Sequence, residues 1–247
     1  MPALLPPSAF SHVFEPLKGK RVGYVRPIGN VGDRLIEWAM VQLFTHYQIA
    51  WSEVNPTDQS PDVDVLAFGG GGNMGTMWRN NWDLRTTCLS LGIPITILPQ
   101  SFTSREDRRF DHIYVREQAS LELAPSHAVL APDLALGLDC PDARRPTRKI
   151  GVFLRKDSES AVARSWLARD PVKLCKTPQQ YLALAGKYQH IVTDRLHFAI
   201  CGLLHRRRVT LLPNSYHKNT SMYTTWLHRF GCQFAQTPHE ALARQAA

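Results

Sequence analysis

The chain has 247 residues, 44% apolar and 20% charged, a composition that fits a soluble globular protein with one large or two small cores and excludes repetitive or low-complexity classes. Lys and Arg number 29 against 21 Asp and Glu, and the formal charge of +8 favours an anionic partner without naming it. Five cysteines without a C-x-x-C pair and ten histidines without ligand spacing argue against a disulfide framework and give no metal site.

The opening segment, MPALLPPSAFSHVF, contains three prolines and no basic lead-in, so it does not read as a secretory signal. The longest apolar run, Phe198 to Leu204, is far too short to span a bilayer. The expected location is the cytoplasm, with room for contact at the inner face of the membrane.

Short β-branched runs then follow in chain order at residues 21–26, 63–68, 94–99, 112–115, 128–131, 149–154, 190–192 and 208–213. Between the first two, Leu35, Ile36, Ala39, Met40, Leu43 and Tyr47 recur at three- and four-residue steps, which predicts an amphipathic helix. Strands alternating with helices predict an α/β fold with mostly parallel sheets. Residues 139–149, DCPDARRPTRK, are rich in proline and charge, lack periodicity and predict a linker. The expectation is two Rossmann-like units, 1–140 and 150–247, facing each other across a cleft, with a last helix in PHEALARQAA at 238–247.

Ligands of open parallel sheets bind beyond the carboxyl ends of the strands. Those ends lead into PIGNVGD, GGGGNMG, QSFTS and REQAS in the first unit, and into RKDSES, TDRLH and NSYHKN in the second. The glycine run Gly69 to Asn73 either lets backbone N–H groups approach a ligand or simply makes a tight turn. Neither glycine segment is a nucleotide motif, because the P-loop lysine and the full G-x-G-x-x-G spacing are missing.

In TDRLH, Asp194 or Thr193 is placed to cap a helix whose first turn holds Arg195 and His197. A helix N-terminus welcomes anions and mildly disfavours cations, so these cations suit a bound anion better than they suit stability. The bland alternative pairs Arg195 with a carboxylate and makes His197 a satisfied buried donor. The two residues diverge by about 200° around an ideal helix, so they would flank a ligand from two sides. A β-α-β unit through this helix makes strands 190–192 and 208–213 neighbours. It thereby gathers Arg195, His197, His217 and Lys218 at one end, a donor set for a compact, multiply charged anion.

Taken in order, GNVGD, DVLAFGGGGN, ILPQS, VRE followed by Ser120, PDLAL, GVFLRKD, TDRLHFAI and PNSYHKN resemble the polysaccharide pyruvyl transferase family over most of the chain. The resemblance implies a two-domain GT-B-like fold and transfer of pyruvate from phosphoenolpyruvate to a sugar as a ketal, with no metal, nucleotide or other cofactor for the donor. It also implies that an R-L-H triplet, a later lysine and an arginine of the first domain serve donor binding and catalysis. These map to Arg195, Leu196 and His197, to Lys218, and to Arg116, with Arg155 as the other arginine that can complete the clamp. Asn30, Gly70, Gly71, Gly72, Asn73, Asn214 and His217 fall in the matching motifs as further substrate-binding candidates.

The chemistry suits these residues. Phosphoenolpyruvate carries a carboxylate and a phosphate of about −1.5 to −2, and it needs several fixed cations in a small space. His197 is the candidate general acid. Asp33 either accepts a proton from the sugar hydroxyl or only caps its helix. The expected acceptor is a hexose of a polysaccharide precursor carried on a polyprenyl diphosphate, and the +8 charge would help the protein approach anionic lipid. Two other readings stand beside this one. The first is a GT-B-type glycosyltransferase using a nucleotide sugar. The second is a non-catalytic anion or nucleic-acid module, although the aromatics do not interleave with the basic clusters as a strand-binding platform requires.

Overall fold

Buried central strands rich in apolar residues build the first sheet. In the computed structural model, which describes residues 2–57, 61–140, 145–161 and 169–243, seven strands share it. They are β1 (Arg21–Val25), β2 (Ala50–Glu53), β3 (Val65–Phe68), β4 (Gly71–Met74), β5 (Ile95–Phe102), β6 (His112–Val115) and β7 (Val129–Leu130). Their order is β2-β1-β3-β5-β6-β7, β4 also pairs with β5, and every pair is parallel. β3 and β5 are buried at every residue, as strands covered on both faces must be. Leu66, Phe68, Ile97 and Val115 lie in the core between sheet and helices. The predicted amphipathic helix is Val31–His46, and Leu35, Ile36, Ala39, Met40 and Leu43 are its buried stripe.

The second sheet holds β8 (Arg148–Phe153), β9 (Tyr188–Thr193), β10 (Arg208–Leu211) and β11 (Gln233–Phe234) in the order β11-β10-β9-β8, again parallel. The neighbours expected from the β-α-β reading, 190–192 and 208–213, are β9 and β10. The helix Leu196–Leu204 between them is buried at every residue except His197, which is half-buried. Gly202 lets this helix approach its sheet, since a Cβ there would lie 2.7 Å from Val209 Cγ2.

The described chain divides into two compact units. One comprises Leu5–Gly29 and Ile36–Gly137, and the other comprises Met1–Leu4, Asn30–Leu35 and Leu138–Ala247. The first turn of the helix Val31–His46 therefore belongs with the C-terminal unit. Of the expected linker, residues 141–144 lie outside the described residues, and β8 already begins at Arg148. The final helix is present over Pro238–Ala243, and 244–247 lie outside the described residues.

Two expected strand-end loops are instead part of the sheet. Gln100 to Phe102 continue β5, and Gly71 to Met74 form β4, because β5 runs far enough to pair with the glycine segment. The glycines here serve close packing. A Cβ on Gly69 would lie 2.6 Å from Pro27 Cδ, and one on Gly70 would lie 3.0 Å from Ile36 Cγ2 and from the Pro99 carbonyl oxygen.

Candidate functional site

Three loops leave the carboxyl ends of β8, β9 and β10, and side chains tie them together. Asp194, directly after β9, accepts the Arg155 backbone N–H of the β8 loop at 2.8 Å. Asn219, beyond β10, donates from Nδ2 to the carbonyls of Asp194 and Leu212 at 2.8 and 2.9 Å. Its own N–H is held by Asn214 Oδ1 at 3.0 Å. Ser215 N–H returns to the Glu159 carbonyl at 2.9 Å.

The expected cap is corrected here. The helix is entered at Arg195, whose side chain makes no cap, because the Asp194 carboxylate is spent on the β8 loop and Thr193 Oγ1 accepts the Arg195 N–H at 3.1 Å. Asp194 is fully buried, and its Oδ2 has no hydrogen-bond partner among the described residues. Burial pushes its carboxyl up to about 6, against the opposing pull of the Arg155 N–H and the nearby guanidinium groups.

On this frame stands a ladder of alternating charge. Asp170 grips Arg195 through both oxygens, Nη2 to Oδ2 at 2.6 Å and Nε to Oδ1 at 3.1 Å. Arg195 Nη2 also reaches Asp157 Oδ2 at 2.9 Å. Asp157 Oδ1 accepts Arg155 Nε at 2.6 Å, and Arg155 Nη1 donates to Glu159 Oε2 at 2.6 Å. Lys218 Nζ and, at 3.3 Å, Asn214 Nδ2 converge on that same Glu159 oxygen.

Arg155, Arg195 and Lys218 thus face Asp157, Glu159 and Asp170, three cations against three carboxylates. Burial alone would raise the Asp157 carboxyl, yet the hydrogen bond and charge of Arg155, with Arg195, hold it down at about 2. Glu159 is likewise lowered against the effect of burial, by the charges of Lys218 and Arg155. Burial would lower both guanidinium groups, and their carboxylate partners instead hold them above their usual value. Asp157, with a side chain 36% exposed, is the opening of the ladder to water.

Among the predicted residues, Arg195, Lys218 and Asn214 meet in this cluster. His197 occupies the second position of its helix, and Gly32 lies against it: a Cβ on Gly32 would be 2.7 Å from His197 Nδ1. GNVGD and TDRLH are therefore brought together within the C-terminal unit. Asn30 Oδ1 accepts the Gly32 N–H at 2.8 Å, and Asp33 Oδ2 accepts the Asn30 N–H at 2.7 Å, a reciprocal cap of the helix Val31–His46. Leu196 is buried packing, and His217 stands half-buried at the start of the helix Lys218–Thr225.

The remaining predicted residues lie in the N-terminal unit. Arg116 is 1% exposed, with Nε on Ser101 Oγ and Nη1 on Asp133 Oδ2, each at 2.8 Å. Gly70, Gly71 and Asn73 are buried, Gly72 is half-buried, and Asn73 N–H donates to Gln100 Oε1 at 3.0 Å. Arg155, the other arginine of the sequence reading, is the one beside Arg195. Sequence reasoning missed the three carboxylates of the ladder; Asp157 and Glu159 carried a faint signal in their two- and four-residue spacing from Arg155 in RKDSES.

Fold and site together define an α/β protein whose second parallel sheet presents paired cations at its strand ends. The polysaccharide pyruvyl transferase family matches residues 30–216, and the chain belongs to that family. Its relatives include general stress protein 30 of Bacillus subtilis, 20% identical over 256 aligned positions that cover 80% of this chain and 75% of that protein. A crystal structure of a functionally uncharacterised protein from Klebsiella pneumoniae shares the fold with a TM-score of 0.75 at 23% identity, over 92% of this chain and 97% of that one.

Proposed function

We propose that this chain transfers the pyruvyl unit of phosphoenolpyruvate to a saccharide as a ketal. The observation that carries the reading is the convergence of Arg155, Arg195 and Lys218 at the ends of β8, β9 and β10. Membership of a pyruvyl transferase family supports transferase activity. The donor's carboxylate and phosphate exchange places with Asp157 and Glu159 on these cations, and charge shifting onto the departing phosphate is stabilised there. Arg155 fits this clamp better than Arg116, whose guanidinium is buried against Ser101 and Asp133.

In the reaction C3 of the donor gains a proton, one sugar hydroxyl adds at C2, and a second displaces phosphate. Two hydroxyl protons are released, one balancing that taken up by C3 and the other leaving with phosphate. His197 delivers the proton to C3. Asp33 lies near it in the chain's fold through the Gly32 contact and can receive a hydroxyl proton on the oxygen not used by Asn30, although its capping bond is the role its geometry supports directly. A GT-B-like organisation of the two units belongs to the same proposal.

The acceptor we propose is a hexose on a polyprenyl diphosphate. Among the described residues no helix is long and apolar enough to cross a membrane, so recruitment would rest on the +8 charge and surface contact. Failure to bind anionic vesicles at low salt would remove that part. For the reaction itself, His197→Ala should abolish phosphate release from phosphoenolpyruvate and acceptor while leaving donor binding largely intact. Equal loss of both would make His197 a binding residue.

A further inference from the structure

A cavity of about 450 Å³ opens on the C-terminal unit and shares no residue with the ion ladder. One side of its wall is apolar: Phe153, Cys175 and Tyr188 are buried, Ala183 and Leu184 of the helix Pro178–Gly186 are half-buried, and Leu174 is 50% exposed. Burial raises the Cys175 thiol, so it adds apolar surface and no charge. Arg148, Arg169, Gln180 and Lys187, all exposed, complete the lining, and it contains no carboxylate.

These cations differ from those of the ladder, where every cation meets a carboxylate. Among the described residues Arg148 Nη1 donates to Tyr188 Oη, at 3.2 Å, with its guanidinium 5.8 Å from that ring's centroid. Among the described residues no carboxylate pairs with Arg169 or Lys187. Three cations thus border one hollow whose lining holds no carboxylate, so an anion placed there meets only positive charge.

We propose that this cavity is a second binding site, for a small anion that carries a flat ring or a short apolar chain. The volume lies in the range of small-molecule sites, the cations fix the anionic group, and the aromatic wall takes the apolar body. The site is also joined to the ladder by a short piece of chain. Arg169 precedes Asp170, which holds Arg195 and caps the helix Pro171–Leu174, and that helix ends at Leu174 on the cavity wall.

The test is a titration of the full chain with 8-anilinonaphthalene-1-sulfonate, an aromatic anion that fluoresces when its ring leaves water. Saturable binding at one site is expected. Arg169→Ala with Lys187→Ala should weaken it by about tenfold or more, the loss of two charge-assisted contacts. Ala183→Trp, which fills the hollow, should abolish it, and Arg105→Ala, which removes an exposed cation of the N-terminal unit, should leave it unchanged. Binding that survives both cavity variants, or that disappears in Arg105→Ala, would overturn the assignment, and so would the absence of saturable binding. None of these outcomes depends on whether phosphoenolpyruvate is the donor.

Discussion

Asp170 holds Arg195 by two parallel hydrogen bonds although 25 residues separate them, and both side chains are almost fully buried. Asp170→Ala removes this fork but leaves Arg195 with Asp157, so it should lower stability to urea by about 1.5–3 kcal/mol, the worth of a charge-assisted hydrogen bond, with a further loss from its cap on Val172 N–H. Arg195→Lys keeps the charge but cannot make the fork, and it should weaken phosphoenolpyruvate binding by about tenfold or more. Unchanged urea midpoints in Asp170→Ala would show that the pair is not formed in solution.

Glu159 is the internal competitor of the proposed donor, since one of its oxygens accepts from Arg155, Lys218 and Asn214. Glu159→Gln keeps an accepting oxygen and removes the charge. Donor affinity should rise by roughly tenfold at low salt and the gain should shrink as salt is added, while stability falls. Weaker donor binding in this variant would mean that Glu159 only positions Lys218.

Gly32→Ala would place a methyl group 2.7 Å from His197 Nδ1. The imidazole must turn or shift, and a small misplacement of a catalytic group is expensive. We expect turnover to fall by about 10- to 100-fold with KM for the donor little changed. A parallel rise in KM would assign the contact to binding.

Two buried groups make stability depend on pH with opposite sign. Asp194 is raised from 3.8 to about 6, so between those values the native state holds more protons than the unfolded chain and stability falls as pH rises. His190 is lowered by burial from 6.5 to about 4, so over nearly the same window the unfolded chain holds more protons and stability rises with pH. Each contribution is of order 3 kcal/mol, so they nearly cancel. Asp194→Asn should expose the His190 slope, a gain of roughly 2–3 kcal/mol between pH 4 and 6.5 by urea unfolding. Below pH 4 the ladder should fail as Asp157 is protonated towards its value of about 2. A variant as flat as the wild type across the upper window would contradict this account of Asp194.

Strands in the middle of a parallel sheet carry short apolar, β-branched runs, which is why β3, the first half of β5 and the centre of β9 could be read directly. β2 could not, because Ala50–Glu53 is an edge strand exposed at every residue and carries no alternation. The cations of the site were legible because Arg195 interrupts an apolar context at a strand end. The carboxylates were not: acidic residues in a loop look like solvated surface, and nothing near Arg195 in the chain points to Asp170. VREQAS reads as a polar turn, yet the Arg116 guanidinium is buried inside the N-terminal unit on Ser101 and Asp133.

The most direct measurement is calorimetric titration of the protein with phosphoenolpyruvate, with a uridine diphosphate sugar for comparison and Arg195→Ala as control. Binding of phosphoenolpyruvate that is lost in Arg195→Ala is the predicted result. No heat from phosphoenolpyruvate, with clear binding of the nucleotide sugar, would contradict the donor assignment and make the strand ends of the second sheet a nucleotide-sugar site.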